Sequence, residues 1–123
     1  MHVLESLPDL DAAVAASQAA PILIFKHSAT CGISAAALEE IEEVDELRSL
    51  ESPVEAFVVS VQFGAAVSAE IARRFGLRHE SPQALIVHKG VVTWHASHFH
   101  VTRDEIRSAL AAIVPSPKAI PGL

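Results

Sequence analysis

Four apolar residues in succession, Ile22-Leu23-Ile24-Phe25, leave no polar side to face water. Successive side chains of a strand point to opposite faces, so such a run must be covered from both. The flanking segments supply cover. Residues 6–19 read as a helix, with Leu7, Leu10 and Val14 at helical spacing, Pro8 near its start and Pro21 as its stop. Ile33, Ala37, Ile41, Val44 and Leu47 recur every three or four residues and predict an amphipathic helix over 32–50. Its other face, Glu39, Glu40, Glu42, Glu43, Asp45 and Glu46, reads as solvated.

The alternation continues. Pro53 opens a second apolar run, Val54 to Val61, broken only by Glu55 and Ser60, which reads as another buried strand. Val67, Ile71 and Phe75 predict a short helix closed by Gly76. Ala84–His88 and Val91–His95 read as two strands joined by Lys89-Gly90, a two-residue hairpin signal. Thr102-Arg103-Asp104-Glu105 is a capping box, and Ile106, Leu110 and Ile113 carry on as a last helix. Strand–helix–strand alternation implies right-handed parallel crossovers, and the closing hairpin adds antiparallel strands. The expectation is one α/β domain over 1–114, a central mixed sheet of about four strands flanked by helices, with an extra helix in front. Pro115, Pro117 and Pro121 mark 115–123 as a mobile tail.

Composition narrows the function classes. Half of the 123 residues are hydrophobic, a fifth are charged and the net charge is −6. That supports a packed core and argues against a nucleic-acid binder, which needs a basic face. No run reaches the length of a membrane span. The first ten residues carry Glu5 and Asp9 and no basic region, so a secretory signal is not expected. One cysteine, Cys31, cannot form an internal disulfide, and a reducing, cytosolic setting is expected.

Cys31 lies where the first strand should give way to a helix. Helix N-termini hold unpaired N–H groups and a partial positive charge, which favour a thiolate, the nucleophilic form. Lys26 or His27 could add to this, although Lys26 reads as a solvated strand-end residue.

Three segments carry a resemblance. They are Phe25-Lys26-His27-Ser28-Ala29-Thr30-Cys31-Gly32-Ile33-Ser34, Arg78-His79-Glu80-Ser81-Pro82-Gln83, and Trp94-His95-Ala96-Ser97-His98 running on to Thr102. In residue type, order and spacing they resemble the small monothiol bacilliredoxins of the bacillithiol system, from about residue 22 to 110. The resemblance implies a thioredoxin-like fold and removal of bacillithiol from mixed disulfides on cytosolic proteins. It implies that Cys31 is the reactive cysteine, that Ser34 replaces the second cysteine of a Cys-x-x-Cys site, and that Pro82 is a cis-proline facing the thiol. Gly32 departs from the proline expected in many relatives.

From these assignments the chemistry follows. A hydroxyl cannot resolve a mixed disulfide, so Ser34 is left to donate a hydrogen bond to the Cys31 thiolate, or to bond the local backbone. An outside thiol must finish the reaction. Thr30, Gly32, Ile33, Ser81, Pro82 and His79 are the candidate substrate-binding residues, with Ser81 offering backbone groups to an extended substrate. Arg78, His79 and Glu80 could line a pocket for a small acidic thiol. No bound cofactor is expected, because bacillithiol or another small thiol is a co-substrate. The expected partners are S-thiolated cytosolic proteins, that thiol and a regenerating redox protein, with neither nucleic acid nor membrane. Two other readings remain at this stage. One is a thioredoxin-like interaction module with an incidental cysteine. The other is a histidine-based metal carrier, in which His98 and His100, sharing a face if the strand continues, would hold zinc or copper together with Cys31. No recognised metal-ligand spacing appears, and no carboxylate is nearby in sequence.

Overall fold

The apolar run becomes the middle strand of the sheet. In the computed structural model, which describes residues 1–47 and 54–113, β2 (Ile22–His27) pairs in parallel with β3 (Glu55–Ser60) and antiparallel with β4 (Gln83–His88). Its odd residues, Leu23 and Phe25, pack with Ala37 and Ile41 of α2 (Gly32–Leu47) and with Ile106 and Leu110 of α4 (Arg103–Ile113). Its even residues, Ile22 and Ile24, pack with Leu10 and Ala13 of α1 (Leu7–Ala16) and with Val67 and Ile71 of α3 (Ala65–Phe75). Period-two alternation therefore divides the core into two halves. The sheet is mixed and has helices on both sides, as the element order implies.

The described sheet has five strands rather than four, in the order β1-β3-β2-β4-β5. The extra one, β1 (His2–Val3), lies parallel to β3 with His2 beside Phe57 and Val3 beside Val58. Two residues are too few to show a period, so the sequence pattern does not reveal it. β2 runs two residues past the apolar run, through Lys26 and His27. β5 (Val91–Ser97) runs two residues past His95. The hairpin turn has Lys89 at φ 56° and Gly90 at φ 78°, the left-handed pair of a type I′ turn. Gly76 at φ 65° caps α3 as expected. Thr102 Oγ1 accepts from the Glu105 N–H at 3.2 Å and caps α4.

Three expectations change. The first helix stops at Ala16, short of Ala19, where the N–H groups of Ser17, Gln18 and Ala19 turn to carbonyls three residues back, and the buried Ser17 hydroxyl also donates to the Val14 carbonyl. Ser17 also holds the hairpin turn, accepting from Gly90 N–H on Oγ at 3.0 Å and from Lys89 N–H on its carbonyl at 2.8 Å. The acidic face of α2 is only partly solvated. Glu40 accepts the Arg103 backbone N–H at 2.7 Å and Glu43 binds the Arg103 guanidinium at 2.6 Å, which seats the start of α4 against α2. The expected second strand loses its first and last residues, Val54 and Val61. The side chains of Val44, Asp45, Glu46 and Leu47, residues 48–50, Pro53 and the tail 115–123 lie outside the described part. No helix among the described residues is long and apolar enough to cross a membrane.

Ser17 is the smallest change that tests this packing. Ser17→Ala strips the Gly90 amide of its acceptor and removes the hydroxyl bond to the Val14 carbonyl. We expect a loss of about 1–3 kcal/mol in urea unfolding, since a buried donor is left unpaired. A loss under about 0.3 kcal/mol would mean that the helix end and the hairpin turn do not depend on each other.

Candidate functional site

Strand register gathers four loops at one end of the sheet. His27 pairs with Ser60, Lys26 with Gln83 and Gln83 with Ser97. The C-terminal ends of β3, β2 and β5 and the N-terminal end of β4 therefore lie side by side. Strand carboxyl ends are where open α/β sheets usually place their sites. Cys31 follows β2 after a three-residue loop and immediately precedes α2. It is a free thiol and half-buried. Its own carbonyl accepts the Ala35 N–H at 3.1 Å, so it occupies the N-cap position of the helix.

The loop that carries it is held by side chains. Ser34, fully buried in the first turn of α2, accepts the Ser28 N–H on Oγ at 2.9 Å and lies 2.8 Å from His27 Nδ1. Cys31 N–H donates to the Ser28 carbonyl at 3.3 Å. Gln62, just past β3, accepts the Ala29 N–H at 3.2 Å and donates to Ser28 Oγ at 3.0 Å. Nothing in the sequence pattern singled out Gln62. Its only signal was its place at the carboxyl end of a parallel strand.

Ser34 thus ties the loop as well as neighbouring the cysteine in sequence. A hydroxyl has one proton and two lone pairs. One lone pair takes the Ser28 N–H. If His27 Nδ1 carries a proton, it fills the second lone pair and frees the Ser34 proton for another acceptor. If Nδ1 is bare, the Ser34 proton goes to it. The His27 tautomer therefore decides what Ser34 can donate.

Across the sheet end, the Ser81–Pro82 bond is cis. Pro82 is buried, lies beside His27 along the paired strands, and gives its carbonyl to the His98 N–H at 2.9 Å. Ser81 Oγ is buried with no hydrogen-bond partner. Thr30 and Gly32 are exposed and Ile33 is half-buried. An ideal Cβ built on Gly32 meets nothing within 4 Å, so the position has room for a side chain.

Lys26 corrects the sequence reading. It is fully buried rather than solvated. Alternation along β2 aims it at the α3 face, away from α2, while His27 points toward α2 and Ser34. Lys26 Nζ lies 3.2 Å from His79 Nδ1, with Ser68 Oγ of α3 at 3.3 Å from the same nitrogen. Burial lowers the Lys26 pKa to about 8. His79 is also lowered, first by desolvation and then by the Lys26 charge, against a smaller opposing pull from Glu80. A neutral His79 accepts from the Lys26 ammonium at Nδ1 and keeps its proton on Nε2. His79, itself exposed, therefore ties the proline loop to the buried Lys26 and to Ser68 of α3.

The histidine-rich segment is also corrected. The strand ends at Ser97, and His98–His100 form a 3-10 turn with His98 at φ 58°, so His98 and His100 do not share a strand face. Carboxylates do come close. His100 Nδ1 is 3.8 Å from Glu105, and Glu80 joins His95 and His98 around a cleft of about 530 Å³ that Arg78 and Ser97 also line. A hydrogen bond from Ser97 holds the Glu80 carboxyl below the usual range, helped by the charges of His98, Arg78 and His95. Among the described residues no three His, Cys, Asp or Glu side chains are grouped to hold a metal ion.

The buried lysine gives a signed pH dependence. Between pH 8 and 10.5 the folded state releases the Lys26 proton while the unfolded chain keeps it, so stability rises with pH through that window. Lys26→Met removes the charge without stranding another, because His79 is neutral. We expect the variant to be the more stable at pH 7, with the gap narrowing by on the order of 3 kcal/mol at most as pH approaches 10.5. Parallel urea titrations of the two proteins across that range measure it. Curves that run parallel throughout would show that Lys26 titrates alike in the folded and the unfolded chain, so that burial does not lower its pKa.

Comparison with known proteins agrees with this architecture. Residues 2–106 match the family model described as monothiol bacilliredoxin BrxC. A solved structure described by its thioredoxin fold superposes with a TM-score of 0.79 at 25% identity, covering 88% of this chain and 91% of that one. Thioredoxin from Fasciola hepatica gives 0.72 at 17% identity, covering 91% and 98% of the two chains. Thioredoxin from Malassezia sympodialis gives 0.72 at 13%, covering 91% and 89%. The last two speak for the fold alone. With the family match spanning all but the first residue and the last 17, the chain belongs to the monothiol bacilliredoxins, thiol oxidoreductases on a thioredoxin fold.

Proposed function

We propose that this protein removes bacillithiol, or a similar low-molecular-weight thiol, from capped cysteines of cytosolic proteins. The observation that carries the reading is a half-exposed thiol at a helix N-terminus with a serine, not a second thiol, one turn on.

The Cys31 thiolate attacks the sulfur of the small thiol, in line with the disulfide. The bond from that sulfur to the substrate's cysteine breaks, and the substrate leaves as a thiolate. Cys31 now carries the small thiol. Ser34 is not nucleophilic enough to displace it, so a second small-thiol molecule, or a regenerating redox protein, attacks the cap and departs as a disulfide with it. No resident cofactor enters, since the small thiol is a co-substrate. The N–H groups of the first turn at Gly32 and Ile33 favour negative charge on the sulfur. Ser34 adds a hydrogen bond when His27 Nδ1 is protonated. Thr30, Gly32 and Ile33 form the near rim. Ser81, Pro82 and His79 form the far rim, where an extended substrate lies against the proline loop.

Intact-protein mass spectrometry tests the reading. Incubation with a bacillithiol-capped substrate is expected to add one bacillithiol to the wild type and none to Cys31→Ser. Failure of the wild type to gain it, with glutathione transferred from a glutathione-capped substrate instead, would reassign the protein to another thiol system.

A further inference from the structure

Two phenylalanines stand in water at the reactive end of the sheet. Phe63 is 93% exposed and Phe99 is 76% exposed. Neither sits on a loose tip. Phe63 follows β3, where Ser60 Oγ accepts the N–H groups of Gln62 and Phe63 at 3.2 and 3.1 Å. Gly64 closes that turn so tightly that a Cβ there would meet Val59 at 2.9 Å and the Ser60 carbonyl at 3.0 Å. Gln62 then fastens the turn to the Cys31 loop. Phe99 is carried by the left-handed turn at His98, which is fastened to Pro82 through the His98 N–H. One aromatic ring is thus coupled to the loop of the thiol and the other to the proline loop.

Sheet order arranges them. Reading across β3, β2, β4 and β5, the strand ends present Phe63, Cys31, Pro82 and Phe99 in turn. Neighbouring strands are ~4.8 Å apart, so the two outer strand ends are separated by roughly 14 Å. An extended chain advances about 3.3 Å per residue, and four residues span the same width. We propose that Phe63 and Phe99 anchor the polypeptide that bears the capped cysteine, by taking apolar side chains about two residues before and two residues after it. This deepens the function proposed above and rests on it. A capping thiol alone is too short to reach both rings, so the anchors act on the protein substrate and not on small disulfides. The backbone of each turn is pinned by hydrogen bonds, which spares the part of the ordering cost that a loose loop would carry on binding.

Cysteine peptides capped with 2-nitro-5-thiobenzoate test this independently of the physiological cap. The Cys31 thiolate attacks the peptide sulfur, a Cys31–peptide disulfide forms, and the coloured thiobenzoate anion leaves with the charge. The small symmetrical disulfide of the same thiol serves as the control. With leucine two residues either side of the cysteine, the peptide should react with the wild type about tenfold faster than its serine-flanked twin. Phe63→Ser with Phe99→Ser should bring the two peptides to the same rate, while the control disulfide changes by less than about twofold. The inference is wrong if the wild type shows no leucine preference, if the preference survives the double substitution, or if the control slows equally. It is also wrong if sedimentation shows the two rings holding a pair of copies of this chain together. A Cys31 unreactive toward peptides and control alike would overturn the functional reading itself. Reactivity without preference would overturn only the anchors.

Discussion

Burial of β2 on both faces is the constraint from which the rest of this structure follows. A strand with Leu23 and Phe25 on one side and Ile22 and Ile24 on the other must lie mid-sheet, with a helical layer above and below. Once it does, the parallel crossover to β3 and the antiparallel return of β4 bring three strand ends together at one edge. The same alternation sorts the chemistry. His27 falls on the α2 side, where it meets Ser34, and Lys26 falls on the α3 side, where it meets His79. Two adjacent basic residues thus serve opposite faces, one next to the thiol loop and the other beneath the proline loop.

Much of this was legible in the residues because the signals were local. Four-residue apolar runs, three- and four-residue spacing, a glycine after Phe75, the Lys89-Gly90 turn and the capping threonine each declare their structure within a short window. What was not legible depended on partners far away in the chain. β1 exists only because β3 offers an open edge to two residues of chain. Glu40 and Glu43 look like any solvated carboxylates until Arg103, some 60 positions on, arrives beside them. Lys26 reads as a strand-end charge because nothing near it in sequence tells that α3 and the loop at His79 will cover it. Of the candidate site, Cys31, Ser34 and Pro82 were visible through a motif resemblance. Gln62, which fixes the backbone on the approach to the cysteine, was not, since a lone glutamine after a strand has no signature.

The polar contacts around the thiol loop form one connected set. Ser34, Ser28, His27 and Gln62 share their donors and acceptors across three segments of chain. Ser28 and Ser34 are buried, so a departure of this backbone strands the Ser28 N–H without its acceptor. A loop of three residues between a strand and a helix would otherwise have several arrangements. The loop that carries Cys31 is thus held by hydrogen bonds while its thiol stays half-exposed, as the exchange proposed above requires.

A single-cysteine site also places a demand on the surface around it. With two thiols, the second can eject a wrongly captured partner from within. With Ser34 in that place, every mixed disulfide on Cys31 persists until a separate molecule arrives. Discrimination must then precede covalent capture, in the noncovalent encounter. A thiol that depends on its surroundings for selection needs contacts that reach beyond the disulfide itself, and these must be stiff enough to favour one orientation. Hydrogen-bonded turns that hold aromatic rings in water on both flanks of the cysteine supply such contacts. They cost solubility and little else, since neither ring contributes to either half of the core.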